Sequence, residues 1–201
     1  MSLTIRLAQA RDAAQVVPLI HSSGPAAFER VFKHGALDAQ GFLQHAFVTP
    51  RTQFSHARHW LVEQDGQVLA AGTAYSGVSN LRDSLQVLRQ MVASYGLLGA
   101  CTPLARGLQM EMLVRPPARD VWYLAHLGVR PELRGQGIGE RLIQHLLEQG
   151  RAAGYRQTGL DVAASNPRAQ KLYERLGFTV QVERISHIPG VADHRYMARA
   201  L

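Results

Sequence analysis

A chain of 201 residues with 46% apolar and 18% charged side chains can bury one substantial core and does not read as disordered. No apolar run approaches the roughly 20 residues of a spanning helix, so no membrane segment is expected. The formal charge is +7, but all 22 basic residues except Lys33 and Lys171 are arginines scattered along the chain. That pattern suits attraction of an anionic cofactor, and with no concentrated basic patch or tail no specific nucleic-acid binding is expected.

The N-terminus, MSLTIRLAQARD, lacks the basic-then-apolar layout of a secretory signal, so a soluble cytoplasmic protein is expected. Residues 4–8 alternate as a short strand, and a helical pattern runs from Arg11-Asp12 through Ile20. Residues 25–47 are apolar-periodic and are expected to break at Gly35 and Gly41. Two β-rich runs within residues 59–76 flank Asp65-Gly66, a two-residue hairpin signal. Leu81, Leu85, Leu88 and Val92 then recur at the spacing of one helix face, before a stretch punctuated by Pro103, Pro116 and Pro117. The lone cysteine, Cys101, rules out an intrachain disulfide and a multi-cysteine metal site, and is expected as a small buried apolar residue.

The second half is more regular. Residues 121–129 (VWYLAHLGV) predict a buried strand, followed by a glycine-rich turn over 135–139 and a helix to about Ala153. Ile138, Leu142, Leu146 and Leu147 share one side of that helix, and Gly154 is its expected stop. Residues 157–164 predict a strand, Asn166-Pro167 a helix start, and Gly177 its end. Residues 178–187 and 195–201 complete the set as strands, giving an α/β domain with a mixed sheet.

The chemistry concentrates in VRPELRGQGIGERL, residues 129–142. Gly135, Gly137 and Gly139 lie between a strand and the first turn of a helix, where backbone N–H groups are unpaired and the helix dipole favours an anion. Arg134 adds a charge-assisted donor. A phosphate or pyrophosphate is the natural guest. The turn is neither a P-loop, since Glu140 follows Gly139, nor a Gly-x-Gly-x-x-Gly dinucleotide turn, and a tight connection that binds nothing is the alternative. Zinc, nucleophile-elbow and paired metal-ligand motifs do not occur, so no metal is expected.

Arg134, Gly137 and Gly139, followed about thirty residues later by Asn166, Ala169, Leu172, Tyr173, Gly177 and Phe178, make the sequence resemble the GNAT superfamily of N-acetyltransferases. The close match covers residues 121–180. The resemblance implies a single GNAT-like domain whose mixed central sheet is splayed between two strands and flanked by helices, with acetyl-CoA in the cleft. Within it, residues 1–76 form the N-terminal part, 77–119 a helical insertion, and 120–201 the acetyl-CoA-binding part. A lid, a homodimer surface and a structural pad are the roles open to the insertion.

The same resemblance implies site roles. Backbone groups of Leu127, Gly128 and Val129 would bond the pantetheine arm as an added strand does. Arg134 and the backbone of Gly135, Gln136, Gly137, Ile138, Gly139 and Glu140 would hold the pyrophosphate, and the Asn166 amide would touch the cofactor, beside its role as a helix cap. Tyr173 matches the tyrosine that protonates the departing thiolate; packing on its helix face is the alternative. Asp161 lies where related protein N-acetyltransferases place a catalytic glutamate, so it is the expected base, directly or through a water, with a structural acceptor as the alternative. Tyr123, His126 and Glu111 are rivals, and strand alternation puts Tyr123 with Leu127 and Val129 on one face and His126 on the other. The expected activity is transfer of an acetyl group from acetyl-CoA to a small-molecule or protein amine by direct attack. An acyl-CoA sensor without catalysis is the alternative.

Overall fold

The computed structural model describes residues 3–50, 52–78 and 80–201, and the side chains of residues 80–84 lie outside that description, Leu81 among them, as do the first two residues of the N-terminal segment. The strands are β1 (Thr4–Leu7), β2 (His59–Gln64), β3 (Gln67–Tyr75), β4 (Val121–Val129), β5 (Gln157–Ala163), β6 (Thr179–Arg184) and β7 (His194–Ala200). The helices are α1 (Ala13–Ser22), α2 (Pro25–Phe32), α3 (Ala39–Val48), α4 (Asn80–Gly99), α5 (Cys101–Leu113), α6 (Ile138–Ala152) and α7 (Pro167–Arg175). The strands form one seven-stranded sheet in the order β1-β2-β3-β4-β5-β7-β6. Every neighbouring pair is antiparallel except β4 and β5, which are parallel.

Local chemistry sets the turns. Asp65 and Gly66 both take positive φ, 51° and 78°, which is the two-residue hairpin conformation their dipeptide signals. Strand alternation then divides the core in two. Leu61, Val68 and Ala71 pack under α1, α2 and α3 with Phe32, Phe42 and Phe47. Val62, Leu69, Ala70, Leu124 and Leu160 face α6 and α7 on the opposite side, where Leu142, Ile143, Leu146 and Leu147 are buried. Trp122 fastens α6 to the sheet by donating from Nε1 to the Leu146 carbonyl at 2.8 Å.

Several expectations need correction. Gly41 does not break the second helical region: it sits in the first turn of α3, where its N–H is capped by Asp38 at 2.7 Å, and the break falls at Gly35 (φ 62°). The chain turns at Gly96 (φ 75°), and Pro103 sits in the first turn of α5 rather than ending a helix, since a proline there forfeits no intrahelical bond. On α4, Leu85 and Leu88 are exposed, while Val92 of the expected face packs on the core together with Val87, Met91 and Tyr95, and the Tyr95 hydroxyl donates to the Phe32 carbonyl. Cys101 is exposed, not buried, on the outward face of α5 beside Leu108 and Met112.

Candidate active site

β4 and β5 pair only through Val121–Tyr123 and Gln157–Gly159, then part. The fork opens into a cavity of about 1160 Å³, whose walls come from β4, β5, the first turns of α6 and α7, the α1–α2 corner and residues 190–192. This is the splayed sheet that the sequence implies.

At one end lies the glycine turn. Gly137 is the residue before α6 and takes φ 79°, a conformation that side chains with a Cβ rarely adopt. The first backbone bond of α6 runs from Arg141 N–H to the Gly137 carbonyl, which leaves the N–H groups of Ile138, Gly139 and Glu140 without intrahelical partners. Arg134, Gly135, Gly137, Gly139 and Glu140 all line the cavity. Gln136 and Ile138 do not: the Gln136 amide turns back to the Glu132 carbonyl at 3.4 Å, and Ile138 is buried in the core. The Arg134 guanidinium is steadied by the Val129 carbonyl at 3.2 Å. Arg168, Lys171 and Arg175 of α7 stand across from the turn and add positive charge that motif reading did not single out. Their spacing along one helix, in a motif whose other residues drew attention, was the available signal.

Leu127, Gly128 and Val129 line the middle of the cavity, on the edge of β4 that β5 has left unpaired. Gly128 is there for closeness: a Cβ at this position would come within 2.2 Å of the Leu19 carbonyl of α1. Asn166 also lines the cavity, and its side chain caps α7 by accepting from Ala169 N–H at 3.2 Å. Tyr173 reaches the cavity from the second turn of α7, 8% exposed, with its ring edge-on to Phe178. Burial pushes its hydroxyl up to about 12, so the phenol stays protonated at neutral pH, and no hydrogen bond ties it to the other described residues.

Asp161 lines the cavity from β5, but both of its oxygens are engaged. Oδ2 accepts from the Tyr123 hydroxyl at 2.9 Å and Oδ1 from Arg184 at 2.9 Å. Burial pushes the carboxyl up, against the opposing pull of Tyr123 and Arg184. Tyr123 is itself held protonated, its hydroxyl driven well up by burial and by Asp161. Glu111 is exposed on α5 and is not among the residues that line the cavity.

The expected alternation along β4 does not hold. Ala71 pairs with Gly128 but Thr73 with Ala125, so β4 carries one extra residue, a β-bulge, and His126 within it has φ 56°. The bulge reverses the parity: Trp122 and Leu124 before it, and Leu127 and Val129 after it, all face α6, whereas Tyr123 and His126 both face away. Tyr123 therefore lies on the face of His126, not on that of Leu127.

A model described as the Acetyltransferase (GNAT) family matches residues 28–178. Over 72 residues the chain is 36% identical to a 5-NmdU N-acetyltransferase of Pseudomonas phage PaMx11, covering 36% of this chain and 47% of that one. Over 66 residues it is 36% identical to the [ribosomal protein bS18]-alanine N-acetyltransferase of Escherichia coli K12, covering 33% and 45%. The chain thus spans about half the length of the curated relatives it matches. A solved structure described as an acetyltransferase superposes with a TM-score of 0.72 at 21% identity, over 98% of both chains, which establishes the shared fold.

Proposed function

Because the chain belongs to the acetyltransferase (GNAT) family, we propose that it transfers an acetyl group from acetyl-coenzyme A to an amine, by direct attack within a ternary complex. The observation that carries this reading is the fork between β4 and β5, which offers unpaired strand edge, an anion-binding helix start and a protonated phenol along one cavity. Acetyl-CoA supplies the thioester and the leaving thiol.

The residues suit such a guest. The N–H groups opening α6, with Arg134, match a pyrophosphate. The β4 edge at Leu127–Val129 can bond an amide-bearing pantetheine arm as a neighbouring strand would. Asn166 is assigned to the cavity wall as both cap and polar contact. Tyr173 is the proton donor to the departing thiolate, since a buried phenol raised to about 12 stays protonated at neutral pH and holds a hydrogen for the charge that develops on sulfur. Asp161, with both oxygens occupied, is assigned to holding Tyr123 and Arg184 in place. A cytoplasmic location, where acetyl-CoA is made and used, belongs to the same reading.

The acceptor class is open between protein and small-molecule amines, and the relatives indicate the probes. An alanyl peptide, agmatine and thialysine correspond to acceptors named for similar proteins. Purified protein should melt at higher temperature with saturating acetyl-CoA, as any ligand of the native state requires, and should release free thiol with at least one amine of that panel. An unchanged melting temperature would overturn the reading.

A further inference from the structure

The cavity end at the glycine turn carries more positive charge than a pyrophosphate needs. Arg168, Lys171 and Arg175 are all exposed and all line the cavity, at the three- and four-residue spacing of one helix face. Along the α7 axis the row covers about 10 Å at 1.5 Å per residue. The Arg168 guanidinium lies over the turn itself, since a Cβ at Gly135 would come within 2.8 Å of its Nη2.

These cations lack counter-ions. Elsewhere arginines are neutralised, Arg6 by Asp12 and Glu63, Arg184 by Asp161 and Arg195 by Glu183. The nearest acids in sequence and across the turn are otherwise engaged: Glu174 accepts from Gln170 at 2.8 Å, and Glu140 from Gln144 at 3.4 Å. None of the three cations makes an ion pair with a described acid, and Arg175 donates only to the Lys171 carbonyl, at 3.3 Å. Lys171 and Arg175, four residues apart, repel each other, so the row costs the free protein stability that a bound anion would return.

The way the guest must lie says which anion this is. Tyr173 serves the thiol end and the α6 start serves the pyrophosphate, so the nucleotide beyond the pyrophosphate leaves by the open mouth where the α7 row stands. That nucleotide carries a second anion, a phosphate monoester on its ribose, with about two negative charges at neutral pH.

We propose that Lys171 and Arg175, with Arg168 shared between the two anions, form the site for this phosphate monoester and make the chain select the phosphorylated cofactor over its dephospho form. The inference rests on the acetyltransferase reading above. A guanidinium offers a planar fork of N–H donors and an ammonium a compact charge, and both bond phosphate oxygens with charge assistance. Each exposed pair would be weak by itself, but a row of cations acts on one dianion as a network.

Titration calorimetry tests the inference with two probes, acetyl-CoA and acetyl-dephospho-CoA, which differ by that phosphate alone. Wild type should bind acetyl-CoA at least about tenfold more tightly, the effect of one hydrogen bond to a charged group. Lys171→Gln combined with Arg175→Gln should bring the ratio of the two affinities close to one. Arg134→Gln, which faces the pyrophosphate common to both probes, should weaken both and leave the ratio in place. Lys171→Arg combined with Arg175→Lys keeps both charges and should keep the ratio. All of these side chains are exposed, so the fold tolerates the changes, and a general loss of attraction cancels in the ratio. Equal affinities in wild type, or a ratio that survives Lys171→Gln with Arg175→Gln, overturns the assignment of the α7 row alone. A wild-type chain that binds neither probe overturns the acetyl-CoA reading, and this inference with it.

Discussion

The Tyr123 hydroxyl donates to Asp161 across 2.9 Å, tying the last paired residue of β4 to the stretch of β5 just beyond their separation. With Arg184 on the other oxygen, the carboxylate closes the root of the fork. Tyr123→Phe, which deletes one bond to a charged acceptor, should cost about 2 kcal/mol in urea unfolding. Asp161→Asn leaves the Arg184 guanidinium, 15% exposed, without its counter-charge and should cost about 3 kcal/mol. Asp161→Asn should nonetheless keep the acidic limb of the pH–rate profile, and its loss would return the base to Asp161.

Tyr173→Phe keeps the ring against Phe178 and removes only the hydroxyl, which makes no bond to the other described residues. Stability and acetyl-CoA affinity should stay within error of wild type. Turnover should fall about 10²-fold, the lower end for positioned acid catalysis, because a thiolate is already a fair leaving group. A wild-type rate with chemistry shown to be limiting would reduce Tyr173 to packing.

Gly137 and Gly128 should fail in different ways when given side chains. Around Gly137 a Cβ meets no atom within 4 Å, so Gly137→Val costs only backbone strain, about 1–3 kcal/mol, and places methyl groups in the cavity. Titration calorimetry should show acetyl-CoA affinity lowered at least tenfold in a folded protein, an order-of-magnitude expectation for a blocked anion turn. At Gly128 the obstacle is the backbone of α1, so Gly128→Ala should lower stability by about 3 kcal/mol as overpacking does.

His59, wholly buried on β2, should also shape stability against pH. In the unfolded chain an imidazole gains its proton near 6.5, whereas folded His59 is held down to about 4. The unfolded state therefore binds more protons in that window, so stability is full above pH 6.5 and is lost as pH falls towards 4. At 1.36 kcal/mol per unit, His59 alone accounts for roughly 3 kcal/mol. Urea midpoints measured across the window should fall less steeply in His59→Gln. Equal slopes would mean that His59 is protonated in the native protein.

What could be read beforehand depended on how locally the information is written. The α6 start was legible because three alternate glycines before an amphipathic run have few other uses, and α7 because Asn166 and Pro167 mark its first turn. The bulge at His126 was not. Nothing in VWYLAHLGV announces an extra residue, since a bulge is set by pairing with β3, and one residue of slip reversed the faces assigned to Tyr123 and Leu127. The two donors on Asp161 come from β4 and β6, so the reason it differs from a free carboxylate is wholly tertiary. Leu85 and Leu88 misled for a related reason: periodicity finds an apolar face without saying which face a sheet will cover.

The short seam between β4 and β5 divides the sheet into two leaves, β1 through β4 and β5 with β7 and β6. Beyond three residue pairs, the leaves are joined by the Thr158 hydroxyl on the Trp122 carbonyl, by the Tyr123–Asp161 bond and by the packing of α6. A guest that touches both walls acts as mortar as well as reagent. Its binding free energy adds to that opposing separation of the leaves, so filling the cavity and making the molecule mechanically whole are one event.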